Sequence, residues 1–181
     1  MTIGDPKEIL DFWTEAGPAK WWKKNPDFDA EIAKRFQKTH ERACAGELDD
    51  WAETADGALA LIIVLDQFSR NLHRNSPQAF AQDGKTASIA RAQIASGGDK
   101  TMAREIHQFC YLPLMHSENL DDQDLCLQQM QKMGEKNSIR SAIEHRDIVA
   151  RFSRFPHRNA VLGRSTTAEE QSFLDAGGFS G

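Results

Sequence analysis

The sequence predicts an all-α fold, an antiparallel array of seven to nine helices in a single domain over residues 1–181. The chain has one tyrosine and few valines, while helix-favouring residues fill most segments. Between glycine and proline boundaries, apolar residues recur at helical spacing. Short connections between such segments are typical of antiparallel helix packing.

The first half of the chain predicts three main helices. Asp5 caps a first helix that has Pro6 at its first position and ends near Gly17. A second helix runs from about residue 27 to residue 45. Residues 58–65 are apolar on all sides, which predicts a central helix that is covered by its neighbours.

The second half continues the helical pattern. One or two short helices follow Ser76-Pro77 and close at Gly97-Gly98, and Asp99 is expected to cap another helix that Pro113 interrupts. Further helices are predicted over about 121–133 and 137–155. A capping box formed by Thr167 and Glu170 starts the last one.

Composition and charge exclude several classes of protein. The formal net charge is −5, so nucleic acid is an unfavoured partner. Three cysteines without a close pair exclude a disulfide framework and suit a reducing cytoplasm. The first residues lack the pattern of an export signal, and no membrane association is expected. We therefore predict a cytoplasmic globular protein.

A polar run follows directly on the apolar central helix. Residues 65–71 read Leu-Asp-Gln-Phe-Ser-Arg-Asn without a loop signal, and polar groups near a core need partners. Helical spacing places the predicted ligand-binding residues Gln67, Arg70 and Asn71 on one face. Two interpretations are open: Arg70 forms an internal ion pair with Asp66, or it holds an anion.

A second polar segment, residues 151–164, is a positive patch on an acidic chain. It contains no acidic residue. Pro156 ends the preceding helix near Phe155, so the next three residues leave the helix in a fixed direction. Guanidinium groups bind carboxylate or phosphate in a bidentate manner. The ligand-binding residues predicted in this segment are Arg154, His157, Arg158 and Asn159.

The alternative for these arginines is a salt-bridge network. Asp66, Asp83 and Glu118 are the acids that would neutralise them in the interior. We also predict that Arg70 and Asn71 approach the turn at residues 157–159, so that the two Arg-Asn pairs hold one anion.

A third segment, residues 112–118, combines a proline with an imidazole and a carboxylate. The pair His116 and Glu118 has the chemistry of a general base with an orienting acid. If the protein is an enzyme, the catalytic candidates are His116, Glu118, His157 and Asp66. A structural role for a single histidine is the open alternative.

No metal or cofactor motif is present in the sequence. His40 and Glu41 begin a zincin pattern, but Cys44 stands where the second histidine belongs. The chain has no Walker loop, no dinucleotide-binding glycine pattern and no nucleophile elbow. We therefore expect neither a metal nor a cofactor.

These segments together resemble a bacterial family of uncharacterised proteins, a domain of unknown function assigned to the tetratricopeptide-like helical superfamily. The motifs that carry the resemblance are LDQFSRN at 65–71, LPLMHSE at 112–118 and RFSRFPHRN at 151–159. The resemblance implies a tetratricopeptide-like fold and a bacterial cytoplasmic setting. It also implies that glycine often stands at the position of Ser153.

Two functions are compatible with this pattern. The first is a helical scaffold with a locally basic groove, whose partner is a small anionic ligand or an acidic peptide. The second is an enzyme that acts on an anionic substrate, with histidine as general acid or base and arginine stabilising negative charge.

Overall fold

The computed structural model describes residues 3–179, which contain helices and turns and no strand. This confirms the predicted all-α array. The α-helices are α1 (Pro6–Ala16), α2 (Pro18–Trp21), α3 (Pro26–Cys44), α4 (Ala55–Ile62), α5 (Ser69–Leu72), α6 (Asp83–Ser96), α7 (Leu112–His116), α8 (Leu120–Met133), α9 (Lys136–Phe152) and α10 (Ala168–Asp175). None of the helices in the described part of the chain is both long and apolar enough to cross a membrane.

The chain divides into two compact units. Unit 1 contains residues 3–74 and 78–113, and unit 2 contains residues 75–77 and 114–179. These units reflect how the chain packs locally. They do not test whether residues 1–181 form one domain, so that stays a prediction. The tetratricopeptide-like topology likewise stays a prediction.

The core of unit 1 surrounds α4 and the π-helical segment Ile63–Phe68 that continues it. Every residue from 57 to 69 is buried, which confirms that the apolar segment is covered on all sides. Rings from other helices pack on its end: Phe36 stacks on Phe68 at 5.4 Å between ring centroids, and Phe12 and Trp13 meet the same ring. Phe68 thus packs in the core next to the polar residues Gln67 and Ser69.

Local signals set the helix ends that the sequence predicted. The Asp5 side chain accepts a hydrogen bond from the backbone N–H of Glu8 at 2.8 Å, and Pro6 opens α1. At the other end of the chain, Thr167 and Glu170 form the predicted capping box of α10. Both caps satisfy backbone donors that a helix start leaves unpaired.

The expected helix after Asp99 is wrong. Residues 98–101 and 107–110 form two short 3₁₀ turns instead. The Asp99 carboxylate is buried and accepts a hydrogen bond from the Tyr111 hydroxyl at 2.7 Å, so it is not used as a helix cap. Pro113 lies in the first turn of α7, where a proline needs no N–H donor, and does not interrupt a helix.

Unit 2 is built on the pair α8 and α9, with α10 packed against the end of α9. Ile148 and Val149 from α9 form its core with Phe155, and the rings of Phe152 and Phe173 pack against them. α9 ends at Phe152, three residues before the predicted end, because Ser153 adopts a left-handed conformation with φ of 57°. Glycine is the residue that takes this conformation most easily.

Candidate functional site

The polar run of unit 1 lies in a π-helical turn. The widened segment Ile63–Phe68 contains Asp66, which is fully buried, and Gln67. The Gln67 side-chain amide donates to Asp66 Oδ2 at 2.6 Å, and Arg70 Nη1 lies 2.9 Å from Asp66 Oδ1. Turns of this type are rare and frequently occur at functional sites.

Arg70 joins two carboxylates inside unit 1. Besides its contact with Asp66, its Nη2 donates to both oxygens of Asp83 at 3.0 and 3.1 Å. Burial opposes the charged form of the guanidinium, but the nearby carboxylates of Asp66 and Asp83 raise the pKa of Arg70 above its ordinary value. Arg70 is therefore held as a cation between two anions.

Asn71 and Arg74 bind the carboxylate of Asp29 on α3. Asn71 Nδ2 donates to Asp29 Oδ1 at 2.8 Å, and Arg74 donates to both Asp29 oxygens at 2.6 and 2.8 Å. Burial works against ionisation of Asp29, yet these hydrogen bonds lower its pKa. Gln67, Arg70 and Asn71 each contact an acidic side chain, and their role in ligand binding stays a prediction.

Unit 2 brings together the two other polar segments of the sequence. Arg158 Nη1 donates to the backbone carbonyl of His116 at 3.0 Å. Glu118 accepts a hydrogen bond from the backbone N–H of Phe155 at 2.8 Å and a bidentate pair from Arg164 at 2.7 and 2.9 Å. Burial raises the pKa of Glu118, but the hydrogen bonds of Arg164 and Phe155 outweigh this effect and lower it.

His157 stands beside these arginines as a neutral imidazole. Burial, then the charges of Arg158 and His145, lower the pKa of His157 to about 4. Its ring packs near Phe155 and Phe179, and its buried Nδ1 has no hydrogen-bond partner among residues 3–179. Burial and the neighbouring positive charges therefore disfavour protonation of the His157 imidazole.

Arg154 and Asn159 face the start of α10. Arg154 donates to both oxygens of Glu170 at 2.5 and 2.8 Å and to the carbonyl of Ser165 at 2.8 Å. Asn159 is fully buried, and its Nδ2 lies 3.4 Å from Thr166 Oγ1. Its Oδ1 finds no partner within the described residues.

Two cavities flank the end of α9. One, of about 410 Å³, is lined by Arg151, Phe152, Ser153, Arg154, Thr167, Glu169 and Glu170. The other, of about 280 Å³, is lined by Glu144, Asp147, Ile148, Arg151, Phe152, Phe173, Gly177, Gly178 and Phe179. Arg151 borders both, and its Nε lies 2.9 Å from Glu169 Oε1 in an exposed ion pair. Arg151 lies in the positive segment 151–164 but is not among the binding residues that the sequence predicts.

A histidine and serine pair in unit 1 was also missed. His40 Nε2 lies 2.8 Å from Ser69 Oγ, whose hydroxyl is 2.6 Å from the carbonyl of Leu65. Burial and the neighbouring His73 lower the pKa of His40 to about 4, and burial raises that of the adjacent Cys44 thiol. Ser69 is fully buried, so this pair fastens α3 to the end of the π-helical turn.

The described residues contain no group of three histidine, cysteine or carboxylate side chains placed to hold a metal ion. The shared site of Arg70 and Asn71 with the turn at residues 157–159 stays a prediction.

Comparison with known proteins places the chain in a family. Residues 9–178 match the family described as bacterial protein of unknown function (DUF924). No curated protein matches the chain. A solved structure of a protein of unknown function from Agrobacterium tumefaciens is 40% identical, covers 94% of this chain and 97% of its own, and superposes with a TM-score of 0.90. The chain belongs to the DUF924 family of bacterial proteins.

Proposed function

We propose that the protein is a helical binding scaffold whose partner is a small anionic ligand or an acidic peptide segment, held in the larger cavity of unit 2. The observation that carries this proposal is the position of Arg151. Its side chain lines the cavity, and its one ion-pair partner among residues 3–179 is Glu169, which is itself exposed.

The Arg151–Glu169 pair can be exchanged for an incoming anion at little cost. The two side chains are 54% and 63% exposed, and exposed ion pairs contribute at most about 1 kcal/mol to stability. The guanidinium also lies 4.7 Å from the centroid of the Phe152 ring, which restrains its orientation. A ligand carboxylate or phosphate therefore meets a partly ordered cation.

Arg154 lines the same cavity and supports binding. Its buried partner Glu170 also caps α10 and is not free to leave. Arg154 thus keeps its position while Arg151 exchanges partners. The remaining predicted binding residues of unit 2, His157, Arg158 and Asn159, belong to the turn that follows.

Thermal unfolding at constant ionic strength tests the proposal with phosphate, sulfate, small dicarboxylates and an acidic peptide as probes. Glu169→Gln frees Arg151 and should increase the ligand-dependent rise in melting temperature, whereas Arg151→Gln should abolish it. Arg146→Gln is the matched control, because Arg146 also lies on α9 and pairs with the exposed Asp124. The proposal fails if neither the wild type nor Glu169→Gln shows an anion-specific shift.

The alternative function is an enzyme that acts on an anionic substrate. The observation that favours it is His157, a neutral imidazole next to Arg158 with an unpartnered buried nitrogen. Glu118 has both carboxylate oxygens engaged by Arg164 and a backbone N–H. A turnover screen on phosphate and carboxylate esters, with His157→Ala and His116→Ala as controls, separates catalysis from binding.

A further inference from the structure

Unit 1 exposes an aromatic ring among lysines. Trp22 follows α2 directly, and 53% of its surface is accessible to solvent. The exposed residues Lys20, Lys23 and Lys24 surround it in the sequence. We call these four residues the Trp22 patch. No part of the proposed function uses it.

The ring of Trp22 is held flat against the protein. It stacks on Phe109 with 5.5 Å between ring centroids and an angle of 9° between the planes. Phe109 is buried and is held in turn by edge contacts with Trp13 and Trp21. Phe109 therefore covers one face of the Trp22 indole, and the Trp21 ring meets it at 81° with 6.0 Å between centroids, while about half of the residue's surface stays accessible to solvent.

The three lysines form no close ion pair with the described residues, although the charge of Lys24 acts on Asp29 from a longer distance and helps to lower the pKa of that carboxyl group. Within residues 3–179, none of them has a carboxylate oxygen within 4.0 Å, although Lys20 Nζ lies 5.2 Å from the centroid of the Phe28 ring. Elsewhere in unit 1 the cations of Arg70 and Arg74 are held by carboxylates. The patch thus combines a half-exposed aromatic ring with three exposed lysines that form no close ion pair in the described part of the chain.

We propose that the Trp22 patch binds single-stranded nucleic acid, with one base stacked on Trp22 and neighbouring phosphates contacted by the lysines. Every base has a π face that stacks on an aromatic side chain, whatever the sequence. Phosphates are negatively charged groups that lysines without a close ion pair can contact.

Two other partners fit the patch less well. A stable protein interface buries roughly 800 Å² per partner, and Trp22 is the one exposed large hydrophobic side chain among the described residues of unit 1. A lipid surface would gain only this one aromatic side chain, whereas interfacial binding depends on a larger buried apolar face. The overall charge of −5 restricts the attraction to short range, so binding should be weak and sensitive to salt.

Fluorescence anisotropy of a labelled 15-nucleotide oligothymidine at low salt measures this binding. Trp22→Ala should weaken it about 5-fold to 100-fold, while Trp22→Phe, which keeps a stacking ring, should retain most of it. The double variant Lys23→Gln with Lys24→Gln should reduce the slope of log affinity against log salt by about 1.4, which corresponds to two phosphate contacts. Lys7→Gln is the control, because Lys7 is already paired with Asp11.

Three outcomes would overturn the proposal. One is an oligonucleotide affinity that Trp22→Ala leaves unchanged. Another is a competition experiment in which inorganic polyphosphate displaces the labelled oligonucleotide as well as unlabelled oligothymidine does at the same concentration of negative charge. Polyphosphate has no bases to stack, so equal competition would show that stacking contributes nothing. The last is binding to vesicles of anionic phospholipid without binding to oligothymidine, which would assign the patch to membranes.

Discussion

The guanidinium of Arg154 binds both carboxylate oxygens of Glu170, with Nε 2.5 Å from Oε1 and Nη2 2.8 Å from Oε2. The same carboxylate accepts a hydrogen bond from the backbone N–H of Thr167 at 2.7 Å. Glu170 therefore caps α10 and connects it to the second residue after the end of α9. This buried side chain joins the two helices beside the ring contact between Phe152 and Phe173.

This geometry predicts an acid-sensitive contribution to stability. The hydrogen bond from Arg154, opposed by burial, lowers the pKa of Glu170 from 4.5 to about 2. A carboxyl group with a lowered pKa in the folded state stabilises the protein above its unfolded pKa, and this contribution is lost as pH falls from about 4.5 towards 2. Urea unfolding between pH 2 and pH 6 should therefore show a shallower loss of stability in Glu170→Gln than in the wild type.

Glu169→Gln provides the control for that experiment. Glu169 is the preceding residue, and its ion pair with Arg151 is exposed, so the acid limb of its unfolding curve should match that of the wild type. Equal acid sensitivity in wild type and Glu170→Gln would show that the contact of Glu170 with Arg154 contributes nothing to folding.

The left-handed residue at the end of α9 gives a second prediction. Ser153 has φ of 57° and no described role in packing the core. Ser153→Gly should raise the free energy of unfolding by about 0.5 to 1 kcal/mol, because glycine adopts this conformation without steric cost. Asn75→Gly is the comparison, since Asn75 has φ of 59° and asparagine tolerates the conformation better. A loss of stability in Ser153→Gly would contradict the steric explanation.

Much of the fold follows from short-range signals. The caps formed by Asp5 and by Thr167 with Glu170 depend on residues three positions apart, and the sequence predicts both. The burial of residues 57–69 follows from a segment that is apolar on every side. The predicted helix cap at Asp99 is wrong because its carboxylate binds the Tyr111 hydroxyl, twelve residues away, instead of a nearby backbone N–H.

The candidate site was less predictable, because its partners are distant in sequence. The pairing of Arg70 with Asp66 and Asp83 is observed, and the sequence had named it as one of two interpretations. Glu118 contacts Arg164, which lies 46 residues away in the sequence. Which arginine pairs with Glu118 depends on tertiary packing, and the sequence alone does not give it. The Trp22 patch was missed, although two adjacent tryptophans between lysines were visible at residues 20–24.

The central helix gives a third prediction. Leu61 and Leu65 are fully buried, so replacing either by alanine removes apolar contacts and leaves a cavity. Each variant should lose about 2 to 5 kcal/mol of stability in urea unfolding. Leu120→Ala, at a position that is 40% exposed, should lose much less. Losses below about 1 kcal/mol for both buried leucines would place this helix outside the core.

His40 gives a prediction on pH dependence at mild acidity. Its pKa of about 4 lies below the ordinary 6.5, so the unfolded chain binds a proton here more readily than the folded chain. The contribution of neutral His40 to the free energy of unfolding is therefore fully present above about pH 6.5 and should be lost as pH drops towards 4. An NMR titration of the His40 ring carbons measures this pKa directly. A value near 6.5 would show that the contact with Ser69 is open to water.

The last prediction concerns Arg70 and separates an internal brace from a binding residue. Its guanidinium lies between the fully buried Asp66 and the largely buried Asp83, so Arg70→Ala leaves two carboxylates without their cation. Such a change should cost about 3 to 5 kcal/mol in urea unfolding. Because part of this cost is the stranded charge of Asp66, the double variant Arg70→Ala with Asp66→Asn should recover some of the stability. A binding residue behaves in the opposite way, since it holds positive charge apart until the anion arrives. If Arg70→Ala left stability unchanged and abolished a stabilising effect of phosphate, Arg70 would be a ligand-binding residue, as the sequence pattern alone also permits.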